Sequence, residues 1–246
     1  MRAVASRASI AAAPIPVAAT DALPTVAPRG LRATARTAVV VLTWNDLALL
    51  KQTLRTFGQF NRRTPTYVVD SGSIDGTAKW LAGGGYRLIR HPINLGIFRA
   101  SLDAWERAAS AGYEFILNLQ SDFPCTRAAP FEVLEEYLDA NPQVGFIRLN
   151  RWREMRRNCV THEPIVAGPA EALRDGWRIV QYNYHMSFHP YLFRANIVAF
   201  LKQAWPRTER GLMRQYEKLG LRGAKLQPAC FSTIECNRHG TPGWRH

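Results

Sequence analysis

Between Thr37 and Leu149, short apolar runs alternate with amphipathic stretches, and few architectures accept that order. "AVVVLT" is a continuous run of mostly β-branched residues with no polar partner at every second place. Such a run predicts a strand buried on both faces, ending at Trp44-Asn45-Asp46. "LALLKQTLRTF" follows and sets Leu47, Leu50, Leu54 and Phe57 on one helical stripe. The pattern then repeats: strand "TYVVD", helix from "GTAKWL", strand "YRLIR", helix "GIFRASLDAWERAASAG", strand "YEFILNL", helix "PFEVLEEYLDAN", strand "VGFIRL". Strands joined through helices predict an α/β fold with a mostly parallel central sheet and helices on both faces. Later segments are less regular, with a strand in "WRIVQYNY" and helices over Arg194–Ala204 and Glu209–Leu219.

At 246 residues and 47% hydrophobic, the chain can bury one sizeable core. Residues 1–36 are Ala-, Pro- and Arg-rich without a sustained period, and read as disordered, leaving 37–246 as one domain. A signal peptide competes for "IAAAPIPVAATDA", but two prolines interrupt it. No apolar run reaches the roughly 20 residues needed to span a bilayer, so no transmembrane helix is expected. Cys125, Cys159, Cys230 and Cys236 form no CxxC pair, which fits a reducing compartment and a cytoplasmic location. The first 36 residues hold five arginines and one acid, so +9 of the net +13 falls on the remainder. That surface favours anions: nucleotides, anionic lipid or acidic glycans. Nucleic acid is not expected, since no recognition motif accompanies the charge.

The strand ends carry the chemistry. In "VVDSGSIDGT", Asp70 closes a buried strand, where open α/β sheets place ligands. Gly72 suits a turn, and Ser73 or Asp75 can equally cap the next helix. "HPINLGIFRA" brings Asn94 and Gly96 to the third strand's exit. "YEFILNLQSDFPC" ends the fourth in Gln120-Ser121-Asp122. One such turn is ordinary; three in succession suggest a site.

"VVVLTWND", "YVVDSGSIDGT", "NLGIFRA" and "FILNLQSDFPC", in this order, resemble family 2 glycosyltransferases of GT-A fold. The resemblance covers residues 37–149 well, as a nucleotide-sugar-binding half, and 150–246 loosely, as an acceptor-side half. It implies an inverting transfer from a nucleotide-diphosphate sugar to an acceptor hydroxyl on a glycan, a lipid-linked molecule or a small molecule. It places Thr43, Asn45, Asp70, Ser73 and Asp75 at the nucleotide, Asn94 at the donor, and Asp122 on a divalent Mn²⁺ or Mg²⁺. The family's first aspartate is Gln120 here; an amide still meets a ribose hydroxyl but adds no charge. Glu209 resembles the family's acid at the start of its acceptor-side helix, the candidate base, though Arg210 follows where Asp is usual. A first-turn carboxylate answering the helix dipole explains Glu209 nearly as well. His239 resembles a late histidine ligand for metal or diphosphate, with Thr233 as the competing position.

His185 and His189 are four apart, a metal spacing on a helix, but Pro190 and the alternating aromatics favour an extended segment with packed or acceptor-facing histidines. Arg148, Arg151, Arg153, Arg156 and Arg157 suit a diphosphate, an acidic acceptor or peripheral contact with an anionic membrane; a solvated loop suits them equally. Two further readings stand beside the enzyme. A non-catalytic nucleotide-sugar or glycan-binding module would explain Gln120 and Arg210. A nucleotidyltransferase would use a similar sheet but open on a Gly- and Arg-rich turn, which "TWNDLALL" lacks.

Overall fold

The computed structural model describes residues 35–84, 86–150, 164–183, 188–204 and 208–233. The strands are β1 (Thr37–Thr43), β2 (Thr66–Ser71), β3 (Arg87–His91), β4 (Phe115–Gln120), β5 (Val144–Arg148), β6 (Ala167–Ala172), β7 (Arg178–Tyr182), β8 (Tyr191–Arg194) and β9 (Arg222–Gln227). The helices are α1 (Leu47–Phe60), α2 (Thr77–Ala82), α3 (Gly96–Ser110), α4 (Phe131–Ala140), α5 (Ile197–Ala204) and α6 (Glu209–Lys218). All nine strands form one sheet in the order β3-β2-β1-β4-β8-β5-β9-β7-β6.

The first four strands are parallel throughout, as their apolar runs demand. Every residue of β1 is buried, because β2 and β4 flank it and helices cover both faces. On one face Val40, Val69 and Ile116 pack beneath α3 and α5 residues such as Trp105 and Leu201. On the other, Val39, Val41 and Val68 meet Leu50, Leu54 and Phe57 of α1 and Leu134 of α4.

The rest of the sheet is mixed. β8 runs antiparallel to both β4 and β5, and β7 antiparallel to β9. The helix expected from Arg194 therefore begins only at Ile197, and Tyr191–Arg194 are strand. Tyr191, Leu192 and Phe193 are all buried, so both faces of β8 are core and no helical stripe exists to follow. Its Arg194 donates to the Val144 carbonyl at 2.8 Å and also reaches Leu138 and Asn141 carbonyls at the end of α4. That cation satisfies acceptors that the helix leaves open. At the far edge, β6 is exposed at every residue, and its register slips between Ala167 and Ala170, around Gly168 and Pro169. No helix among the described residues is long and apolar enough to cross a membrane.

The entry to β1 is fixed by charge. Arg36 pairs with Glu114 at 2.7 Å and Asp139 at 2.8 Å, tying β4's approach to the end of α4. Glu135 lies buried beneath, accepting from the Thr37 hydroxyl at 2.5 Å, with Arg36 only at 4.0 Å. Burial raises the Glu135 carboxyl above its ordinary value, outweighing the Thr37 bond and the Arg36 charge. A raised acid binds its proton more tightly in the folded chain than in the unfolded one. The stability it supplies is present below the unfolded pKa and lost as pH rises through the folded one. Glu135→Gln keeps an acceptor for Thr37 and removes the titration. Urea denaturation should show the wild type losing stability relative to this variant as pH rises above the ordinary carboxyl range, from about pH 4.5 upward.

Candidate functional site

The carboxyl ends of the parallel strands lie side by side, and register decides which side chains meet. Thr43 pairs with Asp70, and Asp70 with Arg90, so one residue from each of β1, β2 and β3 forms a row on the α1 face. Asp70 is fully buried. Its Oδ1 accepts from the Ser73 N–H at 3.0 Å, while its Oδ2 has no hydrogen-bond partner and lies 4.0 Å from Arg90 Nε. The Thr43 hydroxyl beside it is also buried without a hydrogen-bond partner. Buried polar atoms are normally satisfied, so two such oxygens in one row make this a candidate ligand site. Arg90 is largely exposed, and nothing in the isolated sequence set it apart. Only the β2–β3 register reveals it.

Around this row the loops are clasped together. Asn45 adopts a left-handed backbone (φ 51°), donates its N–H to Ser73 Oγ at 2.9 Å and accepts from the Ile74 N–H at 2.8 Å. Asp75 uses both oxygens: Oδ2 accepts from Leu47 N–H at 2.9 Å, and Oδ1 from the Thr77 N–H and hydroxyl. Asp75 therefore caps the first turn of α1 from another loop, while the residue preceding α1, Asp46, makes no side-chain cap. Burial alone would raise its pKa; the bonds from Thr77 and Leu47 outweigh that and lower it. Gly72, at φ 77°, lies so close to the third loop that a Cβ would sit 2.5 Å from the Ile93 carbonyl carbon. Beyond it, Asn94 accepts from Gly96 N–H at 2.8 Å and from the Ser71 hydroxyl at 3.3 Å. A cleft of about 470 Å³ borders this clasp, lined by Asn45, Asp46, Lys51 and Asp75 among others; neither Asp70 nor Asp122 lines it.

The end of β4 sends each of its three residues somewhere different. Gln120 Nε2 donates to the Phe188 carbonyl, on the loop before β8. Ser121 turns toward α1, its carbonyl accepting from the Thr53 hydroxyl at 2.6 Å and its hydroxyl 3.4 Å from Asp46 Oδ2. Asp122 is buried, and the adjacent Phe123 packs edge-on against His189 at 5.6 Å between ring centroids. Burial, reinforced by the charge of Arg148, lowers His189 to about 3, so its imidazole is neutral near pH 7. His189 is thus a packed histidine. Arg148 is buried at the end of β5 rather than displayed on a surface loop.

Glu209 opens α6, and Thr208 caps that helix by accepting from the Gly211 N–H at 3.0 Å. The Glu209 side chain, His185, His239 and Arg151, Arg153, Arg156 and Arg157 lie outside the described residues. Among the described residues, no group of three His, Cys, Asp or Glu side chains can hold a metal ion. Of these groups, Asp122 is the carboxylate that could offer a hard cation an oxygen ligand.

No family model and no curated protein matches the chain. Solved structures do. The mannosyltransferase PcManGT from Pyrobaculum calidifontis, in complex with GDP-Man and Mn²⁺, superposes with TM-score 0.58 at 17% identity over 83% of this chain. TarS 1-349 from S. aureus, in complex with UDP-GlcNAc, gives 0.55 at 16% over 83%. A CMP:2-keto-3-deoxy-manno-octonic acid synthetase complexed with CTP gives 0.52 at 13% over 79%, covering 90% of that chain. The fold is GT-A. At these identities the likeness reaches the GT-A fold and not a family within it. The chain spans 58% of the mannosyltransferase and 59% of the TarS fragment.

In this GT-A domain the α1 cap comes from across a loop. Asp75→Ala should cost about 1 kcal/mol of stability, the usual worth of a helix cap. Amide exchange at the start of α1 should quicken with it. Unchanged exchange there would show that Asp75 does not hold the turn.

Proposed function

We propose that the chain is a glycosyltransferase that moves a sugar from a nucleotide-diphosphate donor to an acceptor hydroxyl, with inversion at the anomeric carbon. The observation that carries the reading is the row Thr43–Asp70–Arg90, with a buried carboxylate oxygen lacking a hydrogen-bond partner. A carboxylate accepts and a guanidinium donates. A base with an N–H donor beside an acceptor suits them, and the ring N–H and carbonyl of uracil or guanine provide one such pair. The GT-A structures named above carry GDP-Man and UDP-GlcNAc, which agrees.

From the base, the donor runs along the strand ends. Gln120 Oε1 accepts from a ribose hydroxyl, Asn94 and its turn support the donor, and Asp122 is the protein's carboxylate on a divalent cation. When bound with the diphosphate, Mn²⁺ or Mg²⁺ would offset the charge developing there. Glu209 takes the proton of the acceptor hydroxyl as its oxygen attacks. The diphosphate leaves from the opposite face, which inverts the configuration.

A second reading has specific support: Gln120 spends its amide inside the protein, as a binding module without turnover would permit. The cytidylyl neighbour motivates a third outcome for the same assay. Calorimetric titration with UDP, GDP and CTP, each with and without Mn²⁺, should give binding for UDP or GDP that Mn²⁺ strengthens. Asp70→Asn should weaken it roughly tenfold or more, the worth of a charged hydrogen bond. Asp122→Asn should remove the Mn²⁺ dependence. Donor turnover with candidate acceptors then separates enzyme from binding module. Preference for CTP, or an Asp70→Asn variant that binds as well as wild type, overturns the proposal.

A further inference from the structure

We propose that Gln120 is a positioning residue, whose amide locks the acceptor-side loop Phe188–Pro190 against the end of β4. The inference rests on the functional reading above for what that loop serves, but its geometry stands independently. Gln120 Nε2 donates to the Phe188 carbonyl. Its Oε1 has no hydrogen-bond partner among the described residues, which leaves it for a ligand hydroxyl.

A second contact and a third hold the same loop. Phe188 is buried and stacks on Trp105 of α3, with ring centroids 6.4 Å apart and planes 15° from parallel. Two residues on, the Pro190 carbonyl accepts from Leu149 N–H at 2.9 Å, just past β5. Between them His189 lies edge-on to Phe123, next to Asp122. The loop that Gln120 grips therefore packs against the residue that follows Asp122. β8, which it leads into, pairs with β4 itself, Tyr191 opposite Asn118.

An aspartate cannot make this contact. A carboxylate at position 120 would set oxygen lone pairs against the Phe188 carbonyl, giving repulsion where the amide gives a bond. The departure from the Asp-x-Asp pattern thus exchanges a negative charge on the donor side for a tether on the acceptor side. Restoring the acid should loosen the loop instead of improving the site.

Four proteins test this: wild type, Gln120→Met, Gln120→Glu and Gln120→Asp. Methionine keeps the length without donating, and the two acids add charge. Hydrogen–deuterium exchange is followed in segments 146–150 and 188–195, with 37–43 and 66–71 as controls. Calorimetry with Mn²⁺ and UDP or GDP, whichever the wild type binds, runs in parallel. All three variants should exchange about tenfold or more faster in the two test segments and unchanged in the controls, the mark of local opening. Gln120→Met also loses the Oε1 acceptor for the ribose, so its nucleotide affinity should fall by the worth of that contact, and the exchange comparison alone judges the tether. Unaltered exchange in Gln120→Met overturns the tether. In wild type without ligand, the Leu149 amide should already exchange slowly; rapid exchange there overturns the proposal even if no variant folds. A wild type that binds no nucleotide defeats the functional reading while the exchange comparison still judges the tether.

Discussion

A parallel strand buried on both faces is the constraint on which the rest depends. β1 offers no side chain to water, so helices must cover the sheet on either side, and each connection must cross from one strand's end to the next strand's start. That crossing leaves the carboxyl ends of β1, β2, β3 and β4 together at one edge, with loops instead of neighbours above them. The polar residues there are exceptions to an apolar rule that governs everything behind them. Thr43 and Asp70 are buried because the core puts them at its rim.

Much of this was legible. Continuous apolar runs identified β1, β2 and β4, and the 3.6-residue stripes identified α1 and α3, because each element carries its environment in its own composition. β8 was misread at Arg194 because a strand inserted antiparallel between two others has apolar residues on both faces and is short. Periodicity does not separate so brief a run from the helix that follows it. β9, "RGAKLQ", and β6, "AGPAEA", carry little hydrophobic signal at all and exist through their partners. A strand of that kind is specified by the sheet it joins.

The site divides in the same way. Asp70, Asn94 and Asp122 stood out because polar residues at the ends of apolar runs are visible in one dimension. Arg90 did not, since its meaning comes from lying opposite Asp70 across two strands far apart in the chain. Asp75 shows a role that sequence leaves open. Its place in a ligand-like motif is plain in sequence, yet both its oxygens serve Leu47 and Thr77, so within the described residues it builds the pocket's frame. Gln120 looked like a missing acid, but its amide has a partner that an acid would lose.

The outermost strand has a consequence of another kind. Among the described residues, the nine-stranded sheet ends in backbone N–H and C=O groups that can recruit the edge of another molecule, the first step toward fibrous association. β6 meets that hazard with Pro169, which has no N–H to offer, and with a slipped register that breaks the flat run of donors and acceptors. Its side chains are small or charged, giving an incoming strand little apolar surface to bury. The plainest segment of the sheet thus helps keep a chain with so large a continuous sheet from polymerising through it.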